Sequence, residues 1–477
     1  MSAIKPSTPP ARLRRGETFE GEIETLAYGG RGIARPGGYV VFVSGGLPGD
    51  RVLAEVTKSK RGYAEAVALE LLAPSPDRLP NVDEHQGEAC PGASWQGLAY
   101  EKQLAFKEAH VADALTRIGK LGDVNIDPII GADEQWRYRN KVEYSFGEQD
   151  GELVLGFRPQ GRWDEVLDIE DCHLSSEATN QARNEVLAWA RAEGLNAYDP
   201  HDHRGILRNL IVREGRRTGQ IQTRLVTSRG DFPRPPVDLH TVIDGPSGST
   251  SGPTGALGEE TLRERIFDLD IELSHDSFFQ TNTEMAEKLY GLAAEYADLT
   301  GTEKLFDLYC GVGTIGLSMA RQAGQVWGLE IVPDAIENAK RNAKANGITN
   351  ARFVAANART GMRPLIEEAG RPDVVTIDPP RAGLSAKIVR RLIECEARRI
   401  VYISCNPTTL APNAAQLVEA GYRLTRVRPV DMFPQTPHIE CVAQFDLIGE
   451  VKYVESPSDR KRRERDERRQ AAKEAGQ

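Results

Sequence analysis

The sequence of 477 residues lacks the features that place a protein in a membrane or outside the cell. No stretch approaches the roughly 18 uninterrupted apolar residues that a membrane-spanning helix requires. The N-terminal stretch MSAIKPSTPPARLRRGE carries basic side chains but no apolar core of a signal peptide. The six cysteines are too few and too scattered for a disulfide framework. These absences predict a soluble, cytoplasmic protein with no membrane partner.

The sequence also lacks an excess of basic residues. Its 60 Lys and Arg face 70 Asp and Glu, which gives a formal net charge of −10. This balance argues against a protein that coats nucleic acid over its whole surface, but a local basic surface still suffices to bind RNA. The length suggests about three domains. Nothing in the sequence indicates an obligate protein partner, so a monomer is the default expectation.

Changes in residue pattern divide the chain into three folded segments. Residues 12–75 alternate short β-rich runs with Gly-Gly and Pro-Gly breaks, which predicts a small OB-like β-barrel. Residues 81–265 combine a helical pattern with a β-hairpin that turns at Gln149-Asp150-Gly151, which predicts an α+β central domain. Residues 266–450 alternate apolar strands with helix-length stretches, which predicts an α/β domain with a mainly parallel sheet. The expected flanking segments are a disordered N-terminus, 1–11, and a charged tail, 451–477.

A glycine-rich turn marks the start of the C-terminal segment. KLFDLYCGVGTIGLSMA has the pattern of a strand, a turn and a helix, and Gly311, Gly313 and Gly316 would allow a ligand close to the backbone. The next apolar strand ends in Glu330, which is placed to accept hydrogen bonds from ribose hydroxyls. Both features fit a dinucleotide as well as another nucleoside cofactor. They are therefore compatible with a nicotinamide-dependent oxidoreductase.

Three further motifs argue against that alternative. DVVTIDPPRAGL places Asp378 and two prolines after a strand, at the sheet edge where ligands of open α/β sheets bind. VYISCNPTTLAPN ends an apolar strand at Cys405, which predicts a nucleophile beside the cofactor. DMFPQTPHIECVAQF places Glu440 at the start of an apolar strand as a candidate base. An oxidoreductase explains none of these motifs, and a non-catalytic RNA-binding protein has no use for Cys405.

These motifs, together with SFFQTNTEMAEKL, resemble those of the RNA (uracil-5-)-methyltransferase family, whose members make 5-methyluridine in ribosomal or transfer RNA. The N-terminal segment resembles a TRAM domain, an OB-like RNA-binding module. The resemblance implies a Rossmann-like class I methyltransferase domain, S-adenosylmethionine as cofactor and a uridine flipped out of folded RNA as substrate. It favours 23S ribosomal RNA, because the appended barrel resembles the ribosomal enzymes more than the compact transfer-RNA enzymes. Transfer RNA is the alternative.

The resemblance also implies roles for individual residues. Cys405 would attack carbon 6 of uracil, and Glu440 would remove the proton from carbon 5. The chemistry asks for these residue types, because carbon 5 is a poor nucleophile until a thiolate has added at carbon 6. Phe278 is a candidate contact with the flipped region. The expected cofactor-binding residues are Gln280, Tyr309, Gly311, Thr314, Glu330, Asn357 and Asp378.

Two features depart from the relatives. Many members of the family hold an iron–sulfur cluster on four cysteines, whereas the corresponding stretch EHQGEACPGASWQ keeps only Cys90, with Cys172 as the expected fourth ligand. Two thiolates cannot hold a four-iron cluster, so we predict no iron–sulfur cluster and no metal. Packed thiols are the expected role, and a metal site completed by His85 or His173 is the alternative. Asn357 stands where many S-adenosylmethionine enzymes have an aspartate, but its side chain keeps an acceptor oxygen.

Overall fold

The structure, a computed structural model, describes residues 12–85, 88–159, 162–243 and 254–452. The expected disordered N-terminus and all but the first two residues of the charged tail lie outside these ranges. Within them, no helix combines the length and the apolar character that crossing a membrane requires.

The N-terminal segment forms one curled, six-stranded sheet. In chain order its strands are β1 (Thr18–Glu22), β2 (Thr25–Leu26), β3 (Gly32–Ala34), β4 (Val40–Ser44), β5 (Arg51–Ser59) and β6 (Tyr63–Ala73). They pair in the order β1-β5-β6-β4-β3-β2, with β4 and β6 parallel. Alternate residues of β5, Val52, Ala54 and Val56, are fully buried, as expected for a sheet with one face on a core. The OB-like barrel predicted from the sequence is confirmed.

The central segment is a mixed α+β unit. A short hairpin and a helix come first: β7 (Glu84–His85), β8 (Glu88–Ala89) and α1 (Tyr100–Asp113), which a π-helical turn extends to Ile118. The strands that follow are β9 (Lys141–Gln149), β10 (Glu152–Phe157), β11 (Leu167–Asp168), β12 (Leu207–Gly215), β13 (Gln220–Thr227), β14 (Leu239–Val242) and β15 (Thr254–Ala256). They form one sheet in the order β11-β10-β9-β12-β13-β14-β15, and α2 (Glu177–Ala192) packs against it. The hairpin turn predicted at Gln149-Asp150-Gly151 is confirmed: Gln149 pairs with Glu152, and the two residues between them, Asp150 and Gly151, have positive φ.

An antiparallel hairpin and a helix lead into the C-terminal sheet. They are β16 (Thr261–Ile266), β17 (Leu269–Ser274) and α3 (Thr283–Ala297). The sheet itself contains β18 (Lys304–Leu308), β19 (Gln325–Glu330), β20 (Ala351–Ala355), β21 (Val374–Ile377), β22 (Arg399–Ser404), β23 (Tyr422–Val430) and β24 (Glu440–Leu447). The helices between its strands are α4 (Thr314–Met319), α5 (Pro333–Ala345), α6 (Ala358–Ala369), α7 (Ala386–Glu394) and α8 (Pro407–Glu419).

The topology of this sheet confirms the predicted Rossmann-like α/β fold. The strand order is β20-β19-β18-β21-β22-β24-β23, and the first five strands are parallel. Apolar cores cover both faces: α3, α4 and α5 pack on one, and α1, α6, α7 and α8 on the other. The antiparallel strand β24 lies beside β22, so its first residue lies at the edge where the parallel strands end. This arrangement gathers the predicted site residues along one edge.

Candidate active site

Cys405 occupies a tight turn between β22 and α8. Asn406 caps the helix, since its side-chain oxygen accepts hydrogen bonds from Thr408 N at 3.0 Å and Thr408 Oγ1 at 2.7 Å. Pro407 follows at the first helical position, where its missing N–H costs nothing. The Cys-Asn-Pro motif is thus a strand-to-helix turn that holds the thiol at the sheet edge. Cys405 is partly exposed, whereas the other five cysteines are buried.

Glu440 lies next to Cys405 across the β22–β24 pair. The register places Ser404 opposite Cys441, so the two candidate catalytic residues directly adjoin that pair. Glu440 is only 3% exposed, and its Oε2 has no hydrogen-bond partner among the described residues. Burial and the nearby Asp378 carboxylate raise the pKa of Glu440 well above its ordinary value. A buried carboxylate without a partner is the arrangement expected of a group that acts on a substrate.

The charges at this edge favour the neutral thiol. Burial, followed by the carboxylates of Glu440 and Asp378, raises the pKa of Cys405 to about 12, and the Arg381 guanidinium opposes that increase. Burial also raises the pKa of Asp378 to about 7. The cysteine therefore keeps its proton in the free protein, and Arg381 is the nearby positive charge that favours the thiolate.

The Asp-Pro-Pro-Arg loop is fastened to the Cys405 turn. The carbonyl oxygen of Arg381 accepts hydrogen bonds from Asn406 Nδ2 at 3.1 Å and from Thr409 Oγ1 at 3.3 Å. The Arg381 side chain donates to His438 Nδ1 at 3.4 Å, on the segment that precedes Glu440. Three motifs that are far apart in the sequence are therefore joined at a single site.

The glycine-rich turn after β18 forms the second half of the site. Tyr309, Gly311 and Gly313 all have positive φ, so the chain reverses sharply before α4 begins. The fully buried Asp307 accepts hydrogen bonds from Gly316 N at 2.8 Å and from Thr376 Oγ1 at 3.1 Å, which tie this turn to the sheet. A Cβ atom added to Gly311 would meet no atom within 4 Å, so the turn borders open space.

Glu330 is held rigidly beside that space. Its carboxylate accepts hydrogen bonds from Gly311 N at 3.3 Å, Ile331 N at 2.7 Å and Val332 N at 3.0 Å. Ile331 and Val332, which follow it, are 56% and 49% exposed. An oriented carboxylate next to exposed apolar side chains suits a ligand with a ribose and an apolar ring.

The other expected cofactor residues differ in how they are engaged. Thr314 is buried at the first position of α4. Gln280 is 4% exposed, and it opposes the increase in the pKa of Tyr290 that burial and the carboxylates of Asp378, Glu440 and Asp307 cause. Asn357 is exposed and caps α6, where its oxygen accepts a hydrogen bond from Arg359 N at 2.9 Å. That oxygen keeps a second lone pair for a ligand.

Comparisons with known proteins identify the family. A model of the tRNA (uracil-5-)-methyltransferase family matches residues 259–446, and a TRAM domain model matches residues 12–69. An uncharacterized RNA methyltransferase of Halalkalibacterium halodurans is 37% identical over 457 residues, which cover 92% of this chain and 99% of the relative. The chain belongs to the RNA (uracil-5-)-methyltransferase family.

Two further comparisons agree with this assignment. An uncharacterized RNA methyltransferase of Clostridium acetobutylicum is 35% identical, and the alignment covers 91% of this chain and 98% of the relative. Among solved structures, the Pyrococcus abyssi tRNA (uracil-54, C5)-methyltransferase in complex with S-adenosyl-L-homocysteine matches with a TM-score of 0.73 and 29% identity, over 90% of this chain and 100% of that one. As a member of this family the protein is an RNA methyltransferase, and S-adenosylmethionine is its cofactor.

The described residues fit that cofactor. Glu330 offers a fixed carboxylate for the ribose, Ile331 and Val332 offer an apolar surface, and Gly311 leaves room at the turn. These features meet at the edge that also carries Asp378 and Cys405. The methyltransferase fold thus brings the expected cofactor residues and the Cys405 thiol to the same side of the sheet.

Sequence reasoning missed two tyrosines of this methyltransferase. The hydroxyl of Tyr28, in the barrel, donates to the carbonyl oxygen of Cys405 at 3.5 Å, and Tyr290 lies among three site carboxylates. No local pattern distinguishes either tyrosine, because each reaches the site only through the tertiary fold. Arg381, in contrast, stands within a motif that the sequence had already singled out.

Proposed function

We propose that this enzyme methylates carbon 5 of uridine in RNA, with Cys405 as nucleophile and Glu440 as base. The observation that carries the proposal is the pairing of a partly exposed thiol with a buried carboxylate whose Oε2 has no partner among the described residues, at the edge where the expected cofactor residues meet. Uracil-5 methylation requires both groups on the same side of a base.

Cys405, which is partly exposed, has to lose its proton to solvent water before it can react. The thiolate then forms a bond to carbon 6 of uracil, and the displaced ring electrons make carbon 5 nucleophilic. S-adenosylmethionine, when bound, supplies the methyl group that carbon 5 takes up. Because the pKa of Cys405 is about 12 in the free protein, the substrate complex has to favour the thiolate, and Arg381 is the residue placed to assist.

Glu440 then completes the reaction. Its carboxylate accepts the proton that leaves carbon 5, and the electrons of that C–H bond form the ring double bond as the bond from Cys405 to carbon 6 breaks. The thiolate is regenerated and the methylated base is released. The lack of a partner for Oε2 supports this role, since a substrate can supply the missing contact.

We favour ribosomal RNA, and within it 23S, as the substrate, because the TRAM barrel at residues 12–69 resembles the domain arrangement of ribosomal enzymes. Transfer RNA is the second candidate. The structure of a transfer-RNA enzyme that covers 90% of this chain supports it.

Nucleoside mass spectrometry tests the proposal. Unmodified ribosomal and transfer RNA are incubated with S-adenosylmethionine and with the wild-type protein, the Cys405→Ala variant or the control variant Cys395→Ala. We expect 5-methyluridine with the wild type and the control, and a loss of at least about 10³-fold with Cys405→Ala, as for removal of other covalent nucleophiles. The RNA that gains the methyl group identifies the substrate. Equal activity of Cys405→Ala would rule out the assigned nucleophile.

A further inference from the structure

A second cluster of ligating side chains lies around the β7–β8 hairpin. A carboxylate oxygen of Asp83, a ring nitrogen of His85 and the sulfur of Cys90 all lie within 4.8 Å of one another. Asp83 is 0% exposed and Cys90 is 1% exposed. This cluster takes no part in the methyl transfer described above.

Three polar atoms of the cluster have no hydrogen-bond partner among the described residues. Both carboxylate oxygens of Asp83 and the Nε2 atom of His85 are buried and unsatisfied among the described residues. His85 Nε2 and Asp83 Oδ1 are only 2.7 Å apart, yet their geometry is not that of a hydrogen bond. A buried carboxylate without a partner is costly, and a cation bound between these atoms would remove that cost.

The backbone holds Asp83 firmly in this position. Its N–H donates to Gln96 Oε1 at 2.7 Å, and its carbonyl oxygen accepts from Gln96 Nε2 at 2.8 Å and from Cys90 N at 2.9 Å. The unsatisfied carboxylate is therefore not the result of a loosely held loop. Asp83 and Cys90 are preorganised relative to each other.

We propose that Asp83, His85 and Cys90 bind one Zn²⁺ ion. Carboxylate oxygen, imidazole nitrogen and thiolate sulfur together form a ligand set that zinc accepts with tetrahedral geometry. These three side chains leave one of the four tetrahedral positions open, and the thiol of Cys172, which is buried in the same apolar cluster as Cys90, is the candidate fourth ligand.

The same residues do not fit a four-iron cluster. Of the cysteines that relatives use, only Cys90 and Cys172 are present, and Ala93 stands at one of the missing positions. A carboxylate and an imidazole occupy the space beside Cys90 instead. This arrangement favours the alternative from the sequence, a metal site that includes His85, over packed thiols alone.

A bound ion would stabilise a segment that touches the active site. The β7–β8 hairpin has two residues in each strand, too few for stability on its own. A few residues after Cys90, the N–H of Trp95 donates to Gln435 O at 2.9 Å, on the loop that leads to Glu440. Zinc would anchor this connection without taking part in the chemistry.

Metal analysis of the full-length, untagged protein tests the inference independently of the proposed function. After incubation with ZnSO₄ and gel filtration, we expect about one zinc ion per chain. Removing it with EDTA should lower the thermal midpoint, and adding ZnSO₄ back should restore it. The variants Cys90→Ser and His85→Gln should retain less than about a tenth as much zinc, whereas Cys395→Ser, a buried thiol elsewhere, should retain the full amount.

Three results would overturn the proposal. The first is a wild-type protein that holds almost no zinc. The second is a zinc content in Cys90→Ser and His85→Gln that equals that of the wild type. The third is iron with acid-labile sulfide in place of zinc. The zinc content of the wild-type protein tests the proposal even if a variant fails to fold. Loading the wild type with Co²⁺ adds a spectroscopic check, because a thiolate-to-cobalt charge-transfer band would show directly that a cysteine is a ligand.

Discussion

Cys405 is surrounded by carboxylates, which affects how its thiol reacts. Glu440 and Asp378 both raise its pKa, while Arg381 lowers it. Below its pKa, the thiolate fraction of Cys405 rises about tenfold with each pH unit, so its reactivity should climb steadily between pH 7 and pH 10. Because the other five cysteines are buried, native labelling reports on Cys405.

Replacing Arg381 by Gln tests the electrostatic role of this cation. Removing the positive charge should raise the pKa of Cys405 further, so that less thiolate is present at a given pH. At a partly screened site, we expect this loss to raise the pKa of Cys405 by about half a unit to one unit. Alkylation by iodoacetamide at pH 8 should then slow by roughly three- to tenfold, because the thiolate fraction falls by that factor. The rate is measured by mass spectrometry of the Cys405 peptide.

Lys387→Gln is the matched control, since it removes one positive charge from an exposed position on α7. It should leave the labelling rate close to that of the wild type. If both variants react at the wild-type rate, Arg381 does not influence the thiol.

Glu440→Gln separates the two halves of the reaction. The amide cannot accept the proton from carbon 5, whereas attack by Cys405 precedes that step. Removing the negative charge also takes away one cause of the raised pKa of Cys405. We expect turnover to fall by about 10²- to 10⁴-fold and a covalent protein–RNA species to accumulate on denaturing gels. The double variant with Cys405→Ala should show no such species, and its absence from Glu440→Gln alone would contradict the assigned roles.

At the scale of elements, a buried ion pair ties α1 to the segment 431–440, which leads to the candidate base. Lys107 Nζ lies 2.5 Å from Asp431 Oδ1, and both side chains are 0% exposed. The same ammonium group donates to the carbonyl oxygen of Phe433 at 3.1 Å. Asp431 follows β23 and begins the segment that ends at Glu440. The position of the candidate base therefore depends on a helix of the central segment.

Lys107→Met should destabilise the protein markedly. The substitution keeps the length of the side chain but leaves the Asp431 carboxylate buried without its partner. We expect a loss of about 3–5 kcal/mol in the free energy of unfolding, measured by urea denaturation. Lys102→Met is the control on the same helix, because Lys102 pairs with Asp77 at the surface, and we expect a change within about 1 kcal/mol. If both variants lost the same free energy of unfolding, burial of the Lys107–Asp431 pair would not be the cause of the destabilisation.

Strands, helices and turns were predictable from the sequence wherever a few neighbouring residues determine them. Strand-end motifs located Cys405, Glu330 and Asp378 at one sheet edge, because parallel strands place their carboxyl ends together. The approach of Tyr28 to Cys405 was not predictable, since 377 positions separate these residues. A metal site at Cys90 completed by His85 was an alternative from the sequence, but Asp83 was missed, because the family pattern of cysteines drew attention to thiols and not to carboxylates.

At the scale of the whole molecule, the barrel contacts both the Cys405 turn and the segment 431–440. The Tyr28 hydroxyl reaches the Cys405 carbonyl oxygen, and the neighbouring Gly30 packs against Pro437. Nearby, His110 Nε2 on α1 lies 3.0 Å from the carbonyl oxygen of Leu26 in the barrel. These contacts place the RNA-binding module beside the thiol, so the two should act on the same stretch of RNA.

Two adjacent glycines allow this docking to be tested. Gly29 and Gly30 have almost the same φ, +87° and +88°. The backbone strain of an alanine should therefore be similar at the two positions, about 1–2 kcal/mol. Only at Gly30 would the new Cβ collide, at 2.8 Å from Pro437 Cβ and 3.1 Å from Trp95 Nε1. We therefore expect Gly30→Ala to have a somewhat lower thermal midpoint than Gly29→Ala and, at a temperature at which both variants are folded, a lower kcat/KM for RNA methylation. If the two variants methylate RNA equally well, close contact between the barrel and the segment 431–440 is not required for activity, and the barrel contributes affinity alone.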